Sequence, residues 1–211
     1  MDCEPPFSQS LLVEIRRQYR LDWNGLHGAS HWARVLEKGL HLCAATPGLR
    51  RDVVVLFALL HDACRYDDGH DGEHGARAAE FVRQLHGRHI HLDSEGLDLL
   101  VEACRTHTGG RIPAHPTVMA CWDSDRLDLP RIFGVRVRPE WLGTATARDP
   151  ATVKWATQRA KERAFPWREQ FAEPDLEQFE TDTDSCPPGV SPSPKQFSRS
   201  SMTSTRRGTL H

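Results

Sequence analysis

The sequence predicts an all-α fold, a helical bundle. Apolar residues recur at helical spacing through most of the chain, strand-like alternation is nearly absent, and Gly, Pro or Asp punctuates the segments at short-helix intervals. Ser8 to Tyr19 sets Leu11, Leu12, Ile15 and Tyr19 on one face, with Ser8 or Ser10 as cap. Ser30 is suited to cap a helix from His31 to about Ala45 whose apolar side carries Val35, Leu36, Leu40 and Leu42, and Thr46-Pro47-Gly48 breaks it. Arg51 to Cys64 is apolar nearly all round, the pattern of a central, buried helix. Arg65 to Gly72 holds Asp67, Asp68, His70, Asp71 and two glycines, so it reads as a loop. Two amphipathic helices follow, Glu73 to Leu85 with Ala78, Phe81, Val82 and Leu85 inward, and Ser94 to His107 with Leu97, Leu100, Val101 and Cys104 inward. Gly109-Gly110 ends the latter. Thr117 to Leu129 is a shorter helix closed by Pro130, Ile132 to Val137 suits a short strand or extended loop, and Pro150 to Ala164 is a last helix. The stretch from Phe133 to Asp149 carries no clear pattern.

Composition frames these elements. A chain of 211 residues holds one substantial domain, expected over 1–172 with its motifs within 26–131, and a tail over 173–211. That tail turns acidic and then Pro-, Ser- and Thr-rich, burying too little to offset its ordering entropy, so it is expected to be disordered. A net charge of -2 supplies no field for a nucleic acid polymer or an anionic membrane. Six scattered cysteines without a CxxC pair, and a start lacking the basic-then-apolar layout of a secretory signal, suggest reduced thiols in a cytoplasm. No run approaches the ~20 apolar residues of a membrane span.

Chemistry enters at His61-Asp62, where an apolar run from Val53 to Leu60 stops in an imidazole and a carboxylate. Taking two hydrated groups toward a core is unfavourable unless something, most simply a cation, satisfies them. His31 opens one helix, His61-Asp62 end the next, His74 opens a third, His107 ends a fourth and Asp125 lies on a fifth. Helix ends converge at one pole of an antiparallel bundle, so these six can meet. Imidazole nitrogens and carboxylate oxygens are ligands for borderline or hard divalent ions, and none of the six is Cys. One or two ions of Fe, Mn, Co, Mg or Zn fit that set: His31, His61, Asp62 and Asp125 around one, His74 and His107 around a second, with Asp62 bridging. His74 and His107 also suit plain helix-end roles. Two divalent ions against two carboxylates leave positive charge, which asks for a small anionic substrate.

The strings HGASHWARV, LLHDACRYDDGHDGEHG, ACRTHTGG and CWDSDRLDL resemble the signature of the HD-domain superfamily of metal-dependent phosphohydrolases, and the extra His74 and His107 resemble its dinuclear members. The resemblance makes Asp125 the final ligand, with Asp123 as alternative. It implies an all-helical fold and hydrolysis of a phosphoester or phosphoanhydride, in a small phosphorylated metabolite or nucleotide, by metal-activated water. For such chemistry the local cations to meet substrate are Arg34, Lys38, Arg65 and Arg126. Asp67, Asp68, His70 and Asp71 are candidates to orient water or protonate the leaving oxygen. Two other readings stand beside it: a dinuclear iron oxygenase, which would need His74 and His107, and a metal-stabilised binding module without turnover.

Overall fold

A computed structural model describes residues 6–110, 112–162 and 164–177. Among the described residues regular structure is helical: α1 (Gln9–Gln18), α2 (Ala29–Ala45), α3 (Arg51–Leu60), α4 (His74–Leu85), α5 (Ser94–Thr106), α6 (Pro116–Arg126), α7 (Ala145–Arg148) and α8 (Pro150–Lys161). Short 3-10 turns lie at Leu129–Arg131 and Pro139–Trp141. No helix is long and apolar enough to cross a membrane.

Helix α3 is the axis, touching α2, α5 and α6, and α4 packs on the outside of α5. Its sequence explains that position: Val53, Val54, Val55, Phe57, Ala58, Leu59 and Leu60 are all buried, so every face needs a neighbour. Trp32 and Leu36 of α2 and Leu100 of α5 are fully buried in the same core. Tyr19, Trp23 and Trp32 meet edge to face at centroid separations of 5.0 to 6.0 Å. The chain beyond α8 returns to this aromatic cluster, where Phe171 is buried and its carbonyl accepts from Trp23 Nε1 at 2.8 Å.

Caps and close approaches set the helix ends. Ser8 caps α1 by accepting from the Leu11 N–H, as the sequence suggests. Asp93 and Asp149 do the same for α5 and α8. Helix α2 departs from expectation, because its cap is Gly28 and Ser30 lies inside the first turn. The backbone there runs against the Trp23 carbonyl, which accepts from the Ala29 N–H at 2.8 Å, and a Cβ on residue 28 would sit 2.1 Å from that oxygen. Steric exclusion of any side chain therefore decides the start of α2. Gly75 plays a matching part at α4, where a Cβ would meet the Cys104 and Arg105 carbonyls at 2.7 and 2.8 Å. Its bare Cα lets the start of α4 rest on the end of α5.

One helix bound is corrected and two open stretches acquire a structure. The central helix stops at Leu60 and tightens through 61–64 into a turn, with Ala63 N–H bonding to Leu60 and Arg65 N–H to Asp62. Ile132 to Val137 takes the loop form of its two readings: Val135 N–H turns back to the Ile132 carbonyl over Gly134, whose φ is +81°. The patternless stretch 133–149 holds one 3-10 turn and α7. It is pinned by Asp123, whose carboxylate accepts from the Gly143 and Thr144 N–H groups and the Thr144 hydroxyl, each at 2.8 Å. Of the tail expected over 173–211, Glu173 pairs with Arg16, and residues from 178 onward lie outside the described residues.

Leu36→Ala, at a fully buried α2 position, is expected to reduce the unfolding free energy by about 2–5 kcal/mol. Phe133→Ser, at a wholly exposed side chain, should change it by no more than about 0.5 kcal/mol. Urea unfolding of both variants separates the two.

Candidate metal centre

Five helix ends meet at one pole. His31 lies in the first turn of α2, His61 caps the end of α3 with Asp62 next to it, and His74 starts α4. His107 caps the end of α5, and Asp125 is in the last turn of α6. The four histidines and Asp62 are buried, and Asp125 is partly exposed.

Two groups of donor atoms share Asp62. His31 Nε2 and His61 Nε2 are 3.2 Å apart, and Asp62 Oδ2 lies 3.7 and 3.6 Å from them. Asp125 Oδ1 closes this group at 3.4 Å from His31 and 3.8 Å from His61. On the other side Asp62 Oδ1 lies 3.4 Å from His74 Nε2 and 3.6 Å from His107 Nε2, which are 2.8 Å apart. A tetrahedron of bonds near 2.1 Å has edges of about 3.4 Å, so the first group has the spacing of a ligand set.

The hydrogen bonds behind the rings say what such a set needs. His31 Nδ1 faces the Asp128 carboxylate at 2.7 Å, His61 Nδ1 the Phe57 carbonyl at 3.1 Å, and His107 Nδ1 the Cys104 carbonyl at 2.8 Å. His74 Nδ1 faces the Asp71 carbonyl. Each acceptor assigns the ring proton to Nδ1 and leaves a lone pair on Nε2. Four lone pairs and the oxygens of Asp62 and Asp125 then converge on one small volume. Cations reconcile them: the Arg65 guanidinium reaches His74 Nε2 at 3.2 Å, and the donor set is of the chemistry that could hold a divalent ion.

The local electrostatics agree. Burial disfavours charge on His61 and pushes its pKa down to about 3. Burial works against Asp62 and Asp125 too, yet the surrounding imidazoles hold both well below the usual carboxylate range. At His107 burial opposes protonation, and the hydrogen bond and charge of Asp62 outweigh it, so its pKa is raised. A proton there competes directly with a metal.

Asp128 is the residue sequence reasoning missed. Besides His31 it takes Lys38 Nζ at 2.8 Å, Arg34 Nε at 3.0 Å and Arg131 Nη1 at 3.8 Å, and both Asp128 and Lys38 have no exposed surface. A signal existed: Asp128 follows Asp125 by three residues, and its N–H bonds the Asp125 carbonyl at 2.8 Å. Arg34 and Lys38, one and two turns beyond His31, are therefore directed at Asp128 and away from the cavity that substrate would enter.

That cavity, of about 750 Å³, opens over Asp62, His107 and Asp125. Arg65, Arg126 and Arg131 line it, with Ile132 and Trp141 on the wall. Arg126 donates to the carbonyls of Trp141 and Gly110, tying the 133–149 stretch over the cavity. His27 is buried in the lining, with its Nδ1 2.8 Å from Asp68 Oδ1.

The other loop acids are engaged locally. Asp67 accepts from the Gly69 N–H, and Asp71 pairs with Arg77 and accepts from the Tyr66 N–H. Exposed His70 lies outside the cavity lining. Asp123, the alternative ligand, is turned to the 143–144 backbone, so Asp125 alone of the two faces the histidines.

Asp125→Ala is expected to weaken divalent-ion binding by more than about 100-fold, beyond the range typical of outer partners. Asp123→Ala should retain the ion but lose about 1–3 kcal/mol of stability from its stranded donors. Elemental analysis after dialysis, with thermal melts, checks both. In chelator-stripped protein His61 takes up its proton near pH 3 when folded and near 6.5 when unfolded. The unfolded state therefore binds more protons between those values, and the contribution of His61 to stability is lost as pH falls from 6.5 toward about 3. That part of the slope, read from urea midpoints against pH, should vanish in His61→Gln. Set against known protein families, curated proteins and solved structures, the chain matches none of them.

Proposed function

We propose that the protein is a metal-dependent phosphohydrolase acting on a small phosphorylated metabolite or nucleotide. The observation that carries this reading is the set of four buried imidazoles, each with Nδ1 bonded outward and Nε2 turned onto Asp62 or Asp125 at the floor of an open cavity. His31, His61, Asp62 and Asp125 would hold a divalent ion, which would lower the pKa of a bound water from 15.7 toward about 7 and offset charge on a phosphoryl group.

Charge favours an anion as the partner. Around the donors the carboxylates of Asp62, Asp125 and Asp128 are met by the cations of Arg34, Lys38, Arg65 and Arg131. The charged side chains of the cavity wall balance, Arg65, Arg126 and Arg131 against Asp62, Asp125 and Glu140, so each divalent ion added at the donors would make the wall positive. Arg65 and Arg131, both in the cavity wall, are the side chains to bind phosphate oxygens. His27 is backed by Asp68 and lines the same cavity, and burial lowers its affinity for a second proton, so its Nε2 lone pair can accept a proton from the attacking water. The apolar surface of Ile132 and Trp141 offers the rest of the substrate a place clear of water.

The test is a panel of phosphomonoesters, phosphodiesters and nucleotides, run on protein of known metal content with Mn, Co, Mg, Zn and Fe, alongside oxygen uptake. Metal-dependent phosphate release is expected, with Asp62→Ala losing bound ion and turnover together. Oxygen consumption with two irons per chain would instead identify an oxygenase. Bound metal without turnover on any substrate would leave a binding module.

A further inference from the structure

Taking the metal-centre reading as its basis, we infer that the pole is built for one resident divalent ion, on His31, His61, Asp62 and Asp125, and that Arg65 is the second cation, standing on the His74–His107 side. Arg65 Nη1 lies 3.2 Å from His74 Nε2 and 3.5 Å from Asp62 Oδ1, two of the three donor atoms a second ion would require. The guanidinium is held there from behind. Its Nη2 donates to the Gly69 carbonyl at 2.9 Å and its Nε to the Asp67 carbonyl at 3.3 Å, and the residue is only 8 % exposed. The 65–72 loop thus braces a cation against the lone pair of His74.

The two sides differ in construction as well. The first has four donors, and its His31 is backed by a carboxylate that Arg34 and Lys38 clamp in place. A carboxylate behind an imidazole makes the ring a stronger ligand and fixes its tautomer. The second has three donors, and both of its rings are backed by backbone carbonyls alone. Donor number, ligand basicity and a resident guanidinium all point the same way. A second ion binds only by displacing Arg65 from His74, and substrate anions meet one metal and one guanidinium.

Titration of the chelator-stripped full chain with Co2+, followed by calorimetry and by the visible spectrum of the ion, tests this without reference to turnover. The wild type is expected to bind one tight equivalent and a second at least tenfold more weakly. Arg65→Met should tighten the second step at least tenfold and leave the first unchanged, Arg65→Lys should keep the wild-type pattern, and His107→Ala should remove the weak step alone. Two equally tight equivalents in the wild type would overturn the inference while leaving the metal reading intact, and so would a second step unmoved in Arg65→Met. If Arg65→Met does not fold, the wild-type stoichiometry decides alone. Failure of the wild type to bind Co2+ at all would overturn both readings.

Discussion

Asp62 is the constraint on which the rest of the pole depends. It follows the last residue of α3 and its cap, so its position is set by the most buried helix in the molecule, and each of its two oxygens faces a pair of imidazoles. A buried carboxylate is tolerated only where opposite charge surrounds it. Histidines from α2, α4 and α5 supply that surrounding, and they reach it because each sits at the end of its helix. Gly28 and Gly75 matter for the same reason: each removes a side chain where the backbone at or just before a candidate ligand histidine presses on its neighbour.

A second tier of interactions determines which way the four imidazoles point. Asp128 orients His31, and Lys38 and Arg34 keep that carboxylate ionised in a fully buried setting, where burial lowers the affinity of Lys38 for its proton. Backbone carbonyls from α3 and α5 and from the turn before α4 orient the other three rings. A carbonyl oxygen has two lone pairs, so the Phe57 carbonyl accepts both the His61 backbone N–H and the His61 ring one turn later. Stability and ligand geometry are therefore carried by the same hydrogen bonds. The pole is rigid where a metal would be held and open where the cavity begins.

The wall of that cavity is assembled from segments with no regular pattern. The 133–149 stretch looked featureless because its structure comes from one carboxylate, Asp123, accepting three hydrogen bonds from residues twenty positions away or more. Once held, it brings Trp141 to the cavity, where Arg126 secures it. The loop 65–72 turns Arg65 inward in a similar way, by carbonyl contacts that depend on backbone conformation. Neither arrangement leaves a periodic trace in the chain.

The sequence by itself determined the helices and the ligand candidates. Helical periodicity, the Ser8 cap, and the break at Thr46-Pro47-Gly48 report local preferences that survive in the fold. Histidines and aspartates at helix ends were legible for the same reason, because a polar pair at the end of an apolar run has few other ways to be satisfied. Only the tertiary structure decided which carboxylate does what. Asp123, Asp125 and Asp128 lie within six residues of one another on or beside one helix end, yet one pins a distant strap, one faces the imidazoles and one anchors His31, Arg34 and Lys38. Likewise Arg34 and Lys38 were read as substrate contacts and are ion-paired away from the cavity. A residue type and its spacing say what a side chain can bind. Which partner it meets depends on contacts between residues far apart in the chain, and those exist only once the helices have packed.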